Sequence, residues 1–287
     1  MSYIDKLPND CYNTSILVAK INLEFLKFEK FFAPSTCVKK KNSYGKFNPF
    51  SSGGRLARYD AKNIIFTVGE FGFRDHAQNE NNLFGKIITI NEDTKETKLL
   101  SIGNRNPQGL YFDNSNEILY STEHGPYGGD ELNINFLKTN KDFINFGWPI
   151  SSYGDHYGFE QRDDNHPKYI KATFYDSHSD YGFTEPLKYW KPSIGVSQLI
   201  EINSIFQNQN MNDSTKKFAV SSMGIDIEEG DKSIHFIDIK NGSEITNYEI
   251  LPINERIRDL IYIKKHNLIF AYLESLPGIG IIEYFGN

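Results

Sequence analysis

Apolar and polar residues alternate over short runs along this chain, and polar turns break the runs. Leu56–Val68 (LARYDAKNIIFTV), Leu110–Thr122 (LYFDNSNEILYST) and Leu260–Tyr272 (LIYIKKHNLIFAY) share one layout. Each has a short alternating strand, a polar turn carrying Asn, and a second strand of Ile, Leu, Phe and Tyr, which predicts a β-hairpin. Their opening leucines stand roughly fifty residues apart, or three times that, as in a repeated module. A looser copy with a longer turn, Leu199–Ser222, falls where that period expects one. A second hairpin type follows in Lys86–Ile102 and Ser233–Leu251, and Ser15–Phe32 begins the chain with it.

Two hairpins per module make four strands, the unit of a β-propeller blade. Helical periodicity is nowhere sustained for three turns. The expected fold is therefore all-β, a single β-propeller domain over residues 1–287 with about five blade-equivalents. A loop-rich insertion is expected around 150–190, where Tyr, Asp, His and Gly crowd and no period holds. A β-sandwich or two small β domains would also use short strands and turns. The fifty-residue spacing favours the propeller.

Composition sharpens this picture in a few places. Aromatic residues reach 14 %, which suits strands. The net charge is -6 and no basic block exceeds Lys39–Lys41, so a nucleic-acid partner is not expected. No apolar run approaches the ~20 residues that span a bilayer. The opening MSYIDKLPND has neither a basic nor an apolar leader region, so no signal peptide is expected in the chain as it stands, and the compartment is left open. Cys11 and Cys37 admit either a disulfide or two free thiols.

The candidate chemistry gathers in Ser101–Glu131. A polar knot, Asn104-Arg105-Asn106-Pro107-Gln108-Gly109, opens one hairpin, and a Gly125-Pro126 turn with Asp130-Glu131 closes it. The run Gly103–Leu110 resembles the glucose/sorbosone dehydrogenase family, the soluble pyrroloquinoline-quinone-dependent sugar dehydrogenases. The likeness continues through Thr122–Pro126, Gly129–Asn133 and Asn145–Pro149, then Lys191–Ile194 and Glu255–Asp259, with Gly54-Arg55-Leu56 upstream.

The resemblance implies a six-bladed propeller that oxidises aldose sugars to lactones with the quinone (PQQ) and calcium. It implies that Arg105, Asn106, Arg256 and Arg258 hold the cofactor, since guanidinium forks suit its carboxylates. The carbonyls of Gly125 and Pro126 would hold the cofactor's calcium. Glu131 and the Phe146 carbonyl would hold a second calcium, because such a hard cation takes oxygen ligands.

Two departures stand against this. The family's catalytic histidine position holds Ser51, preceded by Phe50, and a lysine position near the quinone holds Gly224. A serine hydroxyl needs a base of its own to accept a proton near neutral pH. His76, beside Asp75 on the Glu70–Gly85 loop, is the candidate substitute base, although most loop histidines are merely solvated.

The expected partner is thus a sugar, with a homodimer as a further option, since a shortened propeller leaves open edges. A propeller that binds a small ligand or a protein without turnover is the alternative. A lactonase-like propeller with a single metal ranks last.

Overall fold

The structure is a computed structural model that describes residues 1–41, 46–126, 128–139, 142–154, 177–202, 214–225, 228 and 230–283. The polypeptide forms a β-propeller of five sheets in chain order. The first holds β1 (Ser2–Leu7), β2 (Cys11–Val18), β3 (Glu29–Phe32) and β4 (Val38–Lys39). The second holds β5 (Gly53–Arg58), β6 (Asn63–Val68), β7 (Lys86–Asn91) and β8 (Thr97–Ile102). The third begins with β9 (Pro107–Asp113), β10 (Ile118–Glu123) and β11 (Asp130–Phe136). The short β12 (Ile144–Asn145) returns to pair in parallel with β8, and β13 (Lys188–Trp190) then completes the third sheet on β11. The fourth holds β14 (Val196–Glu201), β15 (Thr215–Ser222), β16 (Ser233–Lys240) and β17 (Glu244–Pro252). The fifth holds β18 (Ile257–Ile263), β19 (Leu268–Leu273) and β20 (Gly278–Glu283).

Each hairpin of the first sequence type is the opening pair of a sheet: β5–β6, β9–β10, β14–β15 and β18–β19. The second type supplies β7–β8 and β16–β17. β1 was not marked by the alternation, because its Tyr3, Asp5 and Lys6 leave it mostly polar. Of the expected 150–190 insertion, residues 155–176 lie outside the described residues, as does the whole of 203–213 in the long turn.

The packing follows from the strand period of two. On β6, Phe66 and Val68 join Ile16, Phe32, Ile88 and Ile90 between sheets one and two. Ile65, on the other face, joins Ile87, Leu110 and Leu119 between sheets two and three. On β10, Ile118 and Tyr120 turn toward Phe218 and Val220 of sheet four. Ala219 of β15 faces Leu260 and Ile269 of sheet five. Four apolar layers therefore alternate with five sheets, and a strand in the middle of the stack buries both faces. Each such Ile, Leu or Phe contributes about 1.5–3 kcal/mol by leaving water.

The ends of the stack differ. The far face of sheet five is uncovered, with Ile261, Tyr272, Ile279 and Ile281 all more than half exposed. The far side of sheet one is polar and tied down instead. Asn13 Nδ2 donates to the Pro34 carbonyl at 3.2 Å, Lys30 pairs with Asp5 at 2.8 Å, and Cys11 is bonded to Cys37. The bridge closes a 26-residue separation. Loop-closure entropy makes it worth about 3 kcal/mol. No helix among the described residues is long and apolar enough to cross a membrane.

Candidate active site

The opening strands β5, β9, β14 and β18 contact one another in order and line the propeller axis. All four begin at the same end, so the residues just before and at their starts gather around one channel mouth. These are Gly53–Arg55, Arg105–Gln108, Ile194–Val196 and Arg256–Arg258. The hairpin ends Glu123–Pro126 and Ser222–Gly224 reach the same rim.

Arg55 crosses the axis. Its Nη1 donates to Asp259 Oδ2 at 2.8 Å, its Nη2 to the Arg258 carbonyl at 2.9 Å, and its Nε to the Gln108 carbonyl. Arg105 bends onto the Gly-Pro turn, where Nη1 donates to the carbonyls of His124 at 2.9 Å and Gly125 at 2.6 Å. The guanidinium also lies 5.4 Å from the Trp148 ring centre, with Arg74 at 5.6 Å from that ring. Such contacts contribute about 0.5–1 kcal/mol each.

Arg256 and Arg258 alternate at the start of β18 and share Glu274, at 3.4 and 2.8 Å. Arg256 also donates to the Met223 carbonyl. Two guanidiniums on one carboxylate leave positive charge facing the channel. Burial pushes the imidazole of His124 down from its ordinary value. The Asp130 charge opposes this, and the charges of Arg105 and Arg258 add to the lowering.

Below the rim, Glu123 and Glu131 sit opposite each other on β10 and β11, both buried. Asn133 Nδ2 donates to both carboxylates, at 2.9 and 3.2 Å, and the Arg105 amide donates to Glu123 at 2.9 Å. Burial and the nearby Glu131 charge push Glu123 up from its ordinary value.

His178 completes the group and is 2 % exposed. Its Nε2 stands 3.2 Å from Glu131 Oε1, and its Nδ1 stands 2.7 Å from the Phe146 carbonyl and 3.1 Å from Ser151 Oγ. Burial alone would lower this imidazole, but Glu131 and the Phe146 carbonyl outweigh it and hold His178 above its ordinary value. A small cavity of about 10 Å³ lies among Arg105, Glu123, Gly125, Pro126, Glu131 and His178. That is about the room one water molecule needs. Its enclosed part suits water or an ion, and a larger ligand belongs in the channel mouth above it.

A family model described as glucose/sorbosone dehydrogenase matches residues 35–275. The chain belongs to that family. Among curated proteins, it is 31 % identical over 166 residues to the aldose sugar dehydrogenase YliI of Escherichia coli, covering 53 % of this chain and 40 % of that one. It is 27 % identical over 231 residues to the uncharacterized protein slr1608 of Synechocystis, covering 72 % and 50 %. The chain spans half or less of the length of these relatives. Among solved structures, a glucose dehydrogenase matches with a TM-score of 0.74 at 21 % identity, over 98 % of this chain and 76 % of that one. The PQQ-bound aldose sugar dehydrogenase of Streptomyces coelicolor matches with a TM-score of 0.59 at 16 % identity, over 92 % and 69 %. These likenesses establish the fold, a β-propeller of this type.

Arg105, Gly125, Pro126, Glu131 and Phe146 all line the cavity, and Arg256 and Arg258 stand at the rim. Asn106 is engaged within the protein. Its Nδ2 donates to the Phe50 carbonyl at 3.1 Å, and its Oδ1 accepts from Gly53 at 3.1 Å and Gln108 at 2.8 Å. It thereby fixes the loop that carries Ser51.

Ser51 is 2 % exposed, and its hydroxyl accepts from Asn48 at 3.0 Å. His76 lies in the 3-10 turn Arg74–Gln78 and does not line the cavity. Its ring packs on Phe73 and Phe84, with Asn82 at 3.4 Å, and burial followed by the Lys86 charge lowers its pKa. Lys86 itself is wholly buried and donates to the carbonyls of His76, Ala77 and Phe84 at 2.7–2.8 Å.

A Cβ on Gly224 would lie 2.0 Å from the Asp231 carboxylate, so a side chain there has to displace that carboxylate. Sequence reasoning did not single out Glu123, Glu274 or His178. Glu123 adjoins a motif histidine and could have been suspected. His178 ends an irregular stretch and carries no positional signal.

For calcium at the Gly125-Pro126 turn, the donor chemistry fits. Both carbonyls accept one hydrogen bond each, from Arg105 and from the Gly129 amide at 3.1 Å, and each keeps a second lone pair for a cation. For the quinone, the three arginines fit an anionic ligand. For a second calcium between Glu131 and Phe146 the residues do not fit, since the His178 ring stands between the two oxygens, 3.2 Å from Glu131 Oε1 and 2.7 Å from the Phe146 carbonyl.

Proposed function

We propose that this protein is a quinone-dependent aldose dehydrogenase whose reaction centre is the channel mouth. The observation that carries this reading is the placement of Arg105 on the Gly-Pro turn and of Arg256 and Arg258 side by side on Glu274, on a chain of the glucose/sorbosone dehydrogenase family. Arg256 and Arg258 would bind the carboxylates of PQQ, releasing part of their hold on Glu274. Arg105 would orient the ring system from the other side. The carbonyls of Gly125 and Pro126 would hold calcium against it.

The quinone, when bound, supplies two-electron oxidation of the sugar's anomeric carbon, and calcium supplies polarisation of the quinone. The chain's own task is then to take the hydroxyl proton. His76 is neutral near pH 7 and chemically able to accept it. In the structure it packs against Phe73 and Phe84, so serving as the base would require the Arg74–Gln78 turn to move.

A second reading is favoured by one specific observation. Ser51, at the base position, is buried, and among the described residues the partner of its hydroxyl is the Asn48 amide, which cannot activate it. On that reading the propeller binds the quinone or a similar anion and turns over no sugar.

One experiment separates the two readings. PQQ is titrated calorimetrically with calcium present, and dye reduction is then assayed across a panel of aldoses. Binding with sugar-dependent reduction supports the enzyme. Binding without reduction supports the second reading, and no binding in either assay removes both.

A further inference from the structure

Glu131 and the Phe146 carbonyl come from different parts of the third sheet's surroundings, at the start of β11 and just after β12. Something must hold them together beneath the channel mouth, because both lie in the interior. Calcium would do so by bonding both oxygens at about 2.3–2.6 Å. In this chain the two oxygens meet opposite edges of one imidazole instead, at 3.2 Å from Nε2 and 2.7 Å from Nδ1 of His178.

The ring is held in that place from all sides. Ser151 Oγ lies 3.1 Å from Nδ1, the Tyr153 ring lies over it at 5.3 Å between centres, and a Cβ on Gly147 would come within 2.9 Å of Nδ1. An ion that bonded both oxygens would have to lie inside the ring's own volume.

We infer that His178 takes the place of the second cation, so that this chain holds no metal between Glu131 and Phe146. The imidazole joins β11 to the turn after β12, a task that a calcium ion would otherwise perform. The chain then needs calcium only at the Gly125-Pro126 turn. This inference rests on the family reading of Glu131 and Phe146 as a cation pair, and it does not depend on whether sugar is turned over.

The test uses the full chain without quinone, with calcium ion as the probe. Calcium stoichiometry is measured by equilibrium dialysis for the wild type, Glu131→Gln, His178→Ala and the double variant. The wild type and Glu131→Gln are expected to bind the same number of ions. His178→Ala is expected to bind one more, and the double variant to lose it again. A wild-type calcium that disappears in Glu131→Gln would overturn the inference, as would a folded His178→Ala that gains none.

Should the variants not fold, ring signals of His178 in ¹H–¹⁵N spectra of the wild type give the same decision. With millimolar calcium they are expected to keep the pattern of a ring bonded at Nδ1, with only the small shifts that an ion at the nearby Gly125-Pro126 turn causes, and loss of that pattern would sink the idea. Since no quinone is present, a failure here is distinguishable from failure of PQQ binding or of sugar oxidation.

Discussion

Arg55 and Asp259 are 204 residues apart in the chain and meet at 2.8 Å across the propeller axis. The same guanidinium holds the Arg258 carbonyl and the Gln108 carbonyl, so one side chain joins β5, β9 and β18. It also fixes the backbone of Arg258, whose own side chain is one of the proposed cofactor ligands. Arg55→Ala removes all these donors at once. The Arg55 side chain is mostly buried but Asp259 is more than a third exposed, so solvent screening limits the loss. The expected cost is about 2 kcal/mol, read as a fall of roughly 4–8 °C in Tm. Arg55→Lys is expected to recover less than half, because one ammonium cannot reproduce the fork. A Tm unchanged in Arg55→Ala would mean that the bridge is incidental.

Lys86 anchors the loop that carries His76. Burial pushes its pKa down to about 7, yet three carbonyls at 2.7–2.8 Å match the three hydrogens of an ammonium. Lys86→Met keeps most of the volume and leaves three buried acceptors unanswered. A loss of about 3 kcal/mol is expected. Amide exchange should rise across residues 76–85 more than in β6 or β7. Uniform acceleration over the whole domain would argue against a local anchoring role.

His235 sets a pH dependence. It is fully buried on β16, where Nε2 lies 2.8 Å from the Gly230 carbonyl and Nδ1 2.5 Å from Tyr248. Burial pushes its pKa down to about 4, against about 6.5 in an unfolded chain. Between those values the unfolded chain binds a proton that the folded chain refuses. Stability therefore falls as pH drops from about 6.5 to about 4, and this contribution is flat below that. The size is roughly 2–3 kcal/mol. Urea unfolding at a series of pH values measures the slope, and His235→Gln should flatten it in that window.

Gly224, where the resemblance to the family implies a lysine, offers a test of packing at the rim. Any side chain there meets Asp231, with the Cβ only 2.0 Å from its carboxyl carbon. Gly224→Lys alone is expected to lose solubility or drop the Tm by 5 °C or more, on the order of 2 kcal/mol of overpacking. Pairing it with Asp231→Gly should restore most of the loss. A stable single variant would show that the β15–β16 turn yields easily.

The fold was largely legible in the sequence. Alternation marked four of the five opening hairpins, and a fifty-residue spacing set them as repeats of one unit. Period two also determined that Ile65 and Phe66 would serve different apolar layers. These are local properties of a strand, and neighbouring residues carry them. The motif around Arg105 and Gly125 likewise pointed to one end of one hairpin.

Tertiary structure alone decided the rest. Glu274 as the shared partner of Arg256 and Arg258, Arg55 across the axis, and His178 between Glu131 and Phe146 all join residues from distant parts of the chain. No spacing rule brings them together, since their meeting depends on how five sheets turn about a common axis. The space at Gly224 and the seat of His178 are set by neighbours from other turns and strands, and only packing reveals whether a side chain or an ion can occupy them.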